Sequence, residues 1–212
     1  MKLNKKYNLF HLFAAGILFL STTVNADVIS GDITFAKKVP FAGVLFVKQS
    51  KSANVTASMD QLNKQFTKKV AMGAPGSVVV FNNGDTFDHN IFANDLKNKI
   101  SFDIGLMPSG QSSEIKMDWK EDTMVRIGCK IHPKMRSYIA NVNSDYYQEF
   151  EFQKKVKSYP INISNVPADQ HEIELIIPKY ERITVSLLKG ESKTVDIIKK
   201  GKVRGSLIVS RQ

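Results

Sequence analysis

The chain has a single cysteine, Cys129, among 212 residues, so no internal disulfide can form. The lack of a second cysteine also excludes a c-type haem attachment site. Long apolar runs are missing too. The longest, Leu12 to Leu20, falls short of the roughly 20 residues that a spanning helix needs. No self-similarity at a fixed period of 20–50 residues appears, which argues against a solenoid or a propeller. No P-loop, Rossmann fingerprint or Ser-His-Asp sequence motif is present. There is no basic helix and no aromatic RNA-reading motif, so nucleic acid is a poor partner.

What is present begins with an export signal over residues 1–26. Lys2, Lys5 and Lys6 make a basic start, the short apolar run follows, and Val24-Asn25-Ala26 is a small-residue cleavage site. The mature protein is expected to begin near Asp27 and to be periplasmic, with no stable membrane insertion after cleavage. An uncleaved N-terminal anchor is the alternative, and a lipid anchor is excluded because no cysteine lies near the cleavage point. The formal charge of +10 falls when the three signal lysines are removed, leaving 27 basic against 20 acidic residues. Residues 27–150 carry 15 basic and 13 acidic side chains, whereas 151–212 carry 12 and 7, so most of the excess lies late in the chain. Such a bias can steer encounter with an acidic protein or an anionic surface.

The dominant periodicity is two. In "SEIKMDW", Ile115, Met117 and Trp119 alternate with Glu114, Lys116 and Asp118, the pattern of a strand with one dry face. "VRIGC" places Val125, Ile127 and Cys129 on one side, so the cysteine points where core residues point. Further strands are expected at "GVLFVKQ", "SVVVFNN", "HNIFA" and "YIANV", separated by turn signals such as Asn83-Gly84-Asp85. In "MDQLNKQF", Met59, Leu62 and Phe66 fall at helical spacing, and helix and strand both stay open there. After Tyr147 a charged stretch leads to a second alternating series, "INISNV", "HEIELII", "RITVSLL", "KTVDII" and "GSLIVS". An all-β chain follows, divided as a domain over 27–150 and a small second β-sandwich over 151–212.

A lone thiol in an exported protein can be a buried spectator, an intermolecular linker, a redox-sensitive group or a metal ligand. Its neighbours favour the last. Cys129, His132 and Met135 share one tight loop, and thiolate, imidazole and thioether suit copper. A trigonal centre of two histidines and one cysteine with a weak axial methionine needs one more histidine. His89, in "FDHNIF", is the candidate, because His11 lies in the signal and His171 in the second series. Zinc fits less well, since methionine is a poor zinc ligand. His171 reads as a surface residue, Met117 and Met124 as core fillers, and Trp119 as a packing residue.

"CKIHPKM" together with "DHNIF" resembles the cupredoxins, and the Cys-x-x-His-Pro-x-Met form is closest to amicyanin. "SMDQLNKQF", "VVVFNNGDTFDHNIF", "FDIGLMPSG", "IGCKIHPKM" and "INISNVPADQHEIEL" follow in order the layout of periplasmic cupredoxin-domain proteins of the methylamine-utilisation-like type. The resemblance implies a Greek-key β-sandwich followed by a carboxypeptidase-regulatory-like or transthyretin-like sandwich. It implies one type 1 copper, with His89 and His132 as equatorial nitrogen ligands, Cys129 as the thiolate and Met135 as the axial ligand. Asn90 would tie the two ligand loops together, Gly128 would be the close-packed position before the cysteine, Pro133 would stiffen the loop, and Met107 with Pro108 would belong to an apolar patch. Asp88 stands where amicyanin has a proline, and Lys134 adds charge to the loop. The implied function is one-electron transfer without enzyme catalysis, to a redox partner such as a c-type cytochrome or a periplasmic dehydrogenase. Copper storage or delivery without electron transfer is the alternative, and a scaffold with a vestigial site is a third reading.

Overall fold

The computed structural model describes residues 26–212, so the expected export signal lies outside the described residues except for Ala26. These residues form strands and loops without a helix. In chain order the strands are β1 (Asp27–Phe35), β2 (Ala42–Val47), β3 (Ala57–Leu62), β4 (Gln65–Phe66), β5 (Ala71–Gly73) and β6 (Val78–Asn83). Then come β7 (His89–Asp95), β8 (Ile100–Met107), β9 (Ser112–Lys116), β10 (Thr123–Gly128), β11 (Arg136–Asn141) and β12 (Tyr147–Glu151). The last five are β13 (Ser158–Val166), β14 (Glu172–Ile176), β15 (Ile183–Ser186), β16 (Ser192–Lys199) and β17 (Lys202–Arg211).

They assemble into four sheets, in the orders β13-β1-β17-β16, β12-β2-β14-β15, β4-β3-β6-β9 and β5-β11-β10-β7-β8. The first two sheets enclose one core, in which Ile33, Leu45, Ile163, Leu175 and Leu207 meet. The last two enclose a second core around Met59, Phe81, Ile91, Val125 and Ile139. The all-β expectation holds.

The division near Phe150 does not describe these sheets. β1 pairs with β13 and β17, and β2 pairs with β12 and β14, so the first sandwich joins the chain's early strands to its late ones. The chain starts this sandwich, leaves it to build all nine strands of the second, and returns to complete it. Alternation marks a strand's faces but not its partner, so periodicity could not locate this pairing. The charged "EFEFQ" region is itself partly β12, whose Phe150 enters the first core.

β2 explains how the two sandwiches are held. All six of its residues are buried. Leu45 and Val47 face the first core, while Ala42, Val44 and Phe46 pack with Val70, Met72, Met124, Ala140 and Val142 of the second sandwich. A continuous apolar run is what a strand covered on both faces requires. Fully burying side chains of this size contributes about 1.5–3 kcal/mol each. Met124 is thus a filler between the sandwiches, while Met117 fills the second core.

The ambiguous "MDQLNKQF" is a hairpin. β3 and β4 pair across a two-residue loop, with Leu62 opposite Gln65, and Asn63 and Lys64 both take positive φ, 54° and 56°. That is the backbone of a type I′ turn, whose twist matches the flanking strands. Where β1 crosses β17, Gly31 has φ 144° and a Cβ there would sit 2.0 Å from the Ile208 carbonyl oxygen. Only glycine fits that crossing.

Candidate metal centre

β7 and β10 are neighbours in one sheet, with Phe92 opposite Gly128. That register sets their ends side by side at one rim of the second sandwich. His89 is the first residue of β7 and Cys129 directly follows β10. A tight loop then carries His132 and Met135 to the start of β11, closed by a bond from the Met135 amide to the His132 carbonyl at 2.9 Å. Gly128 leaves no room at the base of this loop, because a Cβ would lie 3.2 Å from the Phe92 ring.

The structure brings His89, Cys129 and His132 together, with one donor atom from each within 4.8 Å of the others. Cys129 Sγ lies 3.9 Å from His89 Nδ1 and 3.7 Å from His132 Nδ1, and the two Nδ1 atoms are 3.1 Å apart. His89, Cys129 and Met135 are buried, whereas His132 keeps an exposed edge. Met135 packs in the same cluster as Cys129.

The tautomer of His89 follows from its other neighbour. Its Nε2 is 3.2 Å from Asp85 Oδ2. An ionised carboxylate only accepts, so Nε2 donates and Nδ1 offers a lone pair toward the sulfur. Asp85 is ionised for identifiable reasons. The Lys64 amide donates to Oδ2 at 2.6 Å and, with His89 and the Thr86 amide, holds the carboxyl below its ordinary value against the opposing effect of burial. Burial also pushes His132 below the ordinary imidazole value, and neighbouring His89 and Lys64 add to it. The two rings aim Nδ1 at each other at 3.1 Å, a contact that is favourable only with a proton or a cation between the two nitrogens.

The donor set fits a copper ion. Bonds of about 2.0 Å to nitrogen and about 2.3 Å to sulfur, opened to a planar trigonal angle, span about 3.7 Å between nitrogen and sulfur, against about 3.5 Å for a tetrahedral angle. The observed 3.7 and 3.9 Å are close to the trigonal spacing, while the 3.1 Å between the two nitrogens is narrower than either angle gives. Two imidazoles and a thiolate are a donor set that suits copper.

Asn90 stitches the ligand loops. Its amide N–H donates to Cys129 Sγ at 3.4 Å, its Oδ1 accepts from the Lys130 amide at 3.3 Å, and its Nδ2 donates to Asp103 and to the Gly105 carbonyl. Asp103 also pairs with Lys130, and the Lys130 ammonium, the Gly105 amide and Asn90 hold its carboxyl down at about 2. Asn83 braces the loop before His89 by donating to the carbonyls of Phe87 and Met107 at 2.8 and 2.9 Å. Sequence reasoning missed Asp85, Asn83 and Asp103. An acid four residues before a candidate ligand was the available signal for Asp85.

Met107 is buried rather than part of an exposed apolar patch. The apolar groups that do face outward at this end are Leu62, Phe87, Leu106 and Ile131. His171 lies in the other sandwich, half-buried with Nδ1 3.4 Å from Arg211, and is not brought to the site. Trp119 packs against the second core and stacks on Phe102.

An all-β sandwich thus carries on one rim a His-Cys-His group that could hold one metal ion. Solved structures similar to this chain include a purple cupredoxin from Nitrosopumilus maritimus, at 18% identity over 41% of this chain and 98% of that one, with a TM-score of 0.35. Amicyanin from Paracoccus versutus is similar at 18% identity over 46% of this chain and 96% of its own, TM-score 0.36. A copper-containing nitrite reductase from Thermus scotoductus is similar at 21% identity over 46% of this chain but 25% of its own length, TM-score 0.36. No protein-family model and no curated protein matches the chain.

Proposed function

We propose that this protein is an exported type 1 copper protein that carries single electrons in the periplasm, with His89, Cys129, His132 and Met135 as the copper ligands. The observation that carries the reading is the triangle formed by Cys129 Sγ and the two Nδ1 atoms, with edges of 3.9, 3.7 and 3.1 Å. Bound copper would supply a one-electron couple whose thiolate and thioether ligands favour the reduced ion and whose imidazoles tolerate the oxidised one.

The chain's own residues supply rigidity, exclusion of water and a way out. Asp85 orients His89, and the Asn90 amide donates to the thiolate sulfur, so the donors stay in place whichever charge the site carries. Burial of Cys129 and Met135 keeps solvent and small oxidants from the sulfur atoms. His132 alone among the four keeps an exposed edge, with Ile131 beside it, and that edge is where an electron leaves for a partner. We read the function as carriage rather than catalysis because Met135, buried in the same cluster as Cys129, would serve as a fourth ligand and leave a substrate no open position. The first sandwich, built from β1, β2 and β12 to β17, holds the second through β2.

The decisive experiment is the visible and EPR spectrum of the purified protein with one equivalent of Cu(II), beside Cys129→Ser. An intense thiolate-to-copper band lost in the variant supports the centre. A weak type 2 spectrum unchanged in the variant sinks it. Reversible electrochemistry then separates electron carriage from copper storage or delivery.

A further inference from the structure

A cleft of about 700 Å³ opens directly beside the ligand loop, and Pro133, Lys134 and Met135 form one of its walls. Its other walls come from the hairpin and the segment after β4, from β10 and β11, and from Phe41 and Glu151 of the first sandwich. The first sandwich therefore contributes one side of the cleft.

Its charge is one-sided. Lys64, Lys68, Lys69, Arg126, Lys134 and Arg136 line it, against one carboxylate, Glu151. Glu151 is committed to the Lys69 amide, which donates to its Oε1 at 2.9 Å. Lys69 itself donates to the Phe152 carbonyl. Among the described residues, none of the other five cations makes an ion pair with a carboxylate. Arg136 instead lies over the Phe41 ring at 4.4 Å, and Lys64 over the Phe87 ring at 3.9 Å. Like charges outnumbering their counter-charges repel one another, and an anionic partner covering them would relieve that repulsion.

The five unpaired cations are exposed. They surround an open groove rather than converge on a buried point, the arrangement that matches an extended acidic surface better than a small anion. Lys64 connects the groove to Phe87, one of the outward-facing apolar groups at the metal rim. A body seated in the groove would lie against the ligand loop and reach the edge of His132. We propose that this cleft is the docking site for an acidic partner protein, which it holds against the ligand loop. That the partner is a redox protein rests on the electron-carrier reading above; that it is acidic rests on the cleft alone.

The test uses two probes. Binding of poly-L-glutamate, followed by calorimetry and amide NMR shifts, requires no metal. Electron exchange with a small acidic c-type cytochrome does. The charge-reversal variant Lys68→Glu/Arg126→Glu/Arg136→Glu is compared with Lys38→Glu/Lys200→Glu/Lys202→Glu, an equal charge change on the first sandwich. Expected are shifts centred on the cleft, affinity for poly-L-glutamate lowered about tenfold or more by the cleft variant and less than about twofold by the other. The cytochrome rate should fall in the same order and with added salt. Equal effects of the two variants, or shifts centred on residues 199–204, would overturn the docking site. Selective poly-L-glutamate binding without any electron exchange would leave the acidic docking surface standing and remove the electron-carrier reading instead.

Discussion

The amide of Asn90 donates to the sulfur of Cys129 at 3.4 Å, across two strands that enter the metal rim from separate parts of the chain. The Asn90 side chain continues the link, accepting from the Lys130 amide and donating to the Gly105 carbonyl. Asn90→Ala would keep the amide bond to sulfur and lose the part-buried side-chain links to the Lys130 amide, the Gly105 carbonyl and Asp103. The expected cost is about 0.5–1.5 kcal/mol, read as a lower midpoint in thermal unfolding. Asn90→Ser, which retains a short polar group, should recover part of it.

How much of this was legible in the sequence depends on what each signal encodes. Alternation located β9, β10 and the strands from β13 onward, because a half-buried strand must alternate, while apolar runs bounded by turn signals located β2, β6, β7 and β11. The ligand loop was legible because Cys129, His132 and Met135 are adjacent and chemically unusual together. The hairpin over Asn63 and Lys64 was not, since Met59, Leu62 and Phe66 satisfy helical spacing while Met59 and Phe66 are buried by a tight turn. The partners of β1 and β2 were hidden for another reason. Ala42 to Val47 is apolar throughout, which announces burial on both faces but names neither the late strands it pairs with nor the second sandwich it covers.

Phe46 is 1% exposed and lies on the face of β2 turned to the second sandwich. Phe46→Ala removes a large ring from that junction and should cost about 3–5 kcal/mol. If the junction couples the two sandwiches, calorimetry of the native protein shows one transition and that of the variant shows two. A single, merely lowered transition would place the coupling elsewhere.

At the far end, Arg211 is buried with its Nε 2.8 Å from Asp27 Oδ2, and its other nitrogens donate to the carbonyls of Pro167, Gln170 and Leu187. Arg211→Ala leaves Asp27 buried without this partner and strands those carbonyls, an expected loss of about 3–5 kcal/mol. The pH dependence has a definite sign. Lys189 and then Arg211 hold the Asp27 carboxyl below its ordinary value of 3.8. The stabilisation is therefore fully present above that value and is lost as pH falls toward and through the lower folded-state value. Urea midpoints measured down the acid limb should drop over that window in the native protein, and the drop should shrink in Asp27→Asn.

Asp85 offers the sharpest separation of metal binding from folding. Its carboxylate holds His89 by Nε2 while being held by the Lys64 and Thr86 amides, so it fixes both the ring's tautomer and its aim at Cys129 Sγ. Asp85→Asn keeps the size of the side chain, but an amide can turn either its oxygen or its NH2 toward Nε2, and the tautomer is no longer dictated. Copper affinity should fall about 10–100-fold by competition titration. The metal-free variant should unfold close to the native protein if the new amide keeps the two backbone donors satisfied through its oxygen. A loss of apo stability as large as the loss of copper affinity would mean that Asp85 serves the hairpin contact at Lys64 rather than the ligand. Intact copper affinity would mean that packing alone orients His89.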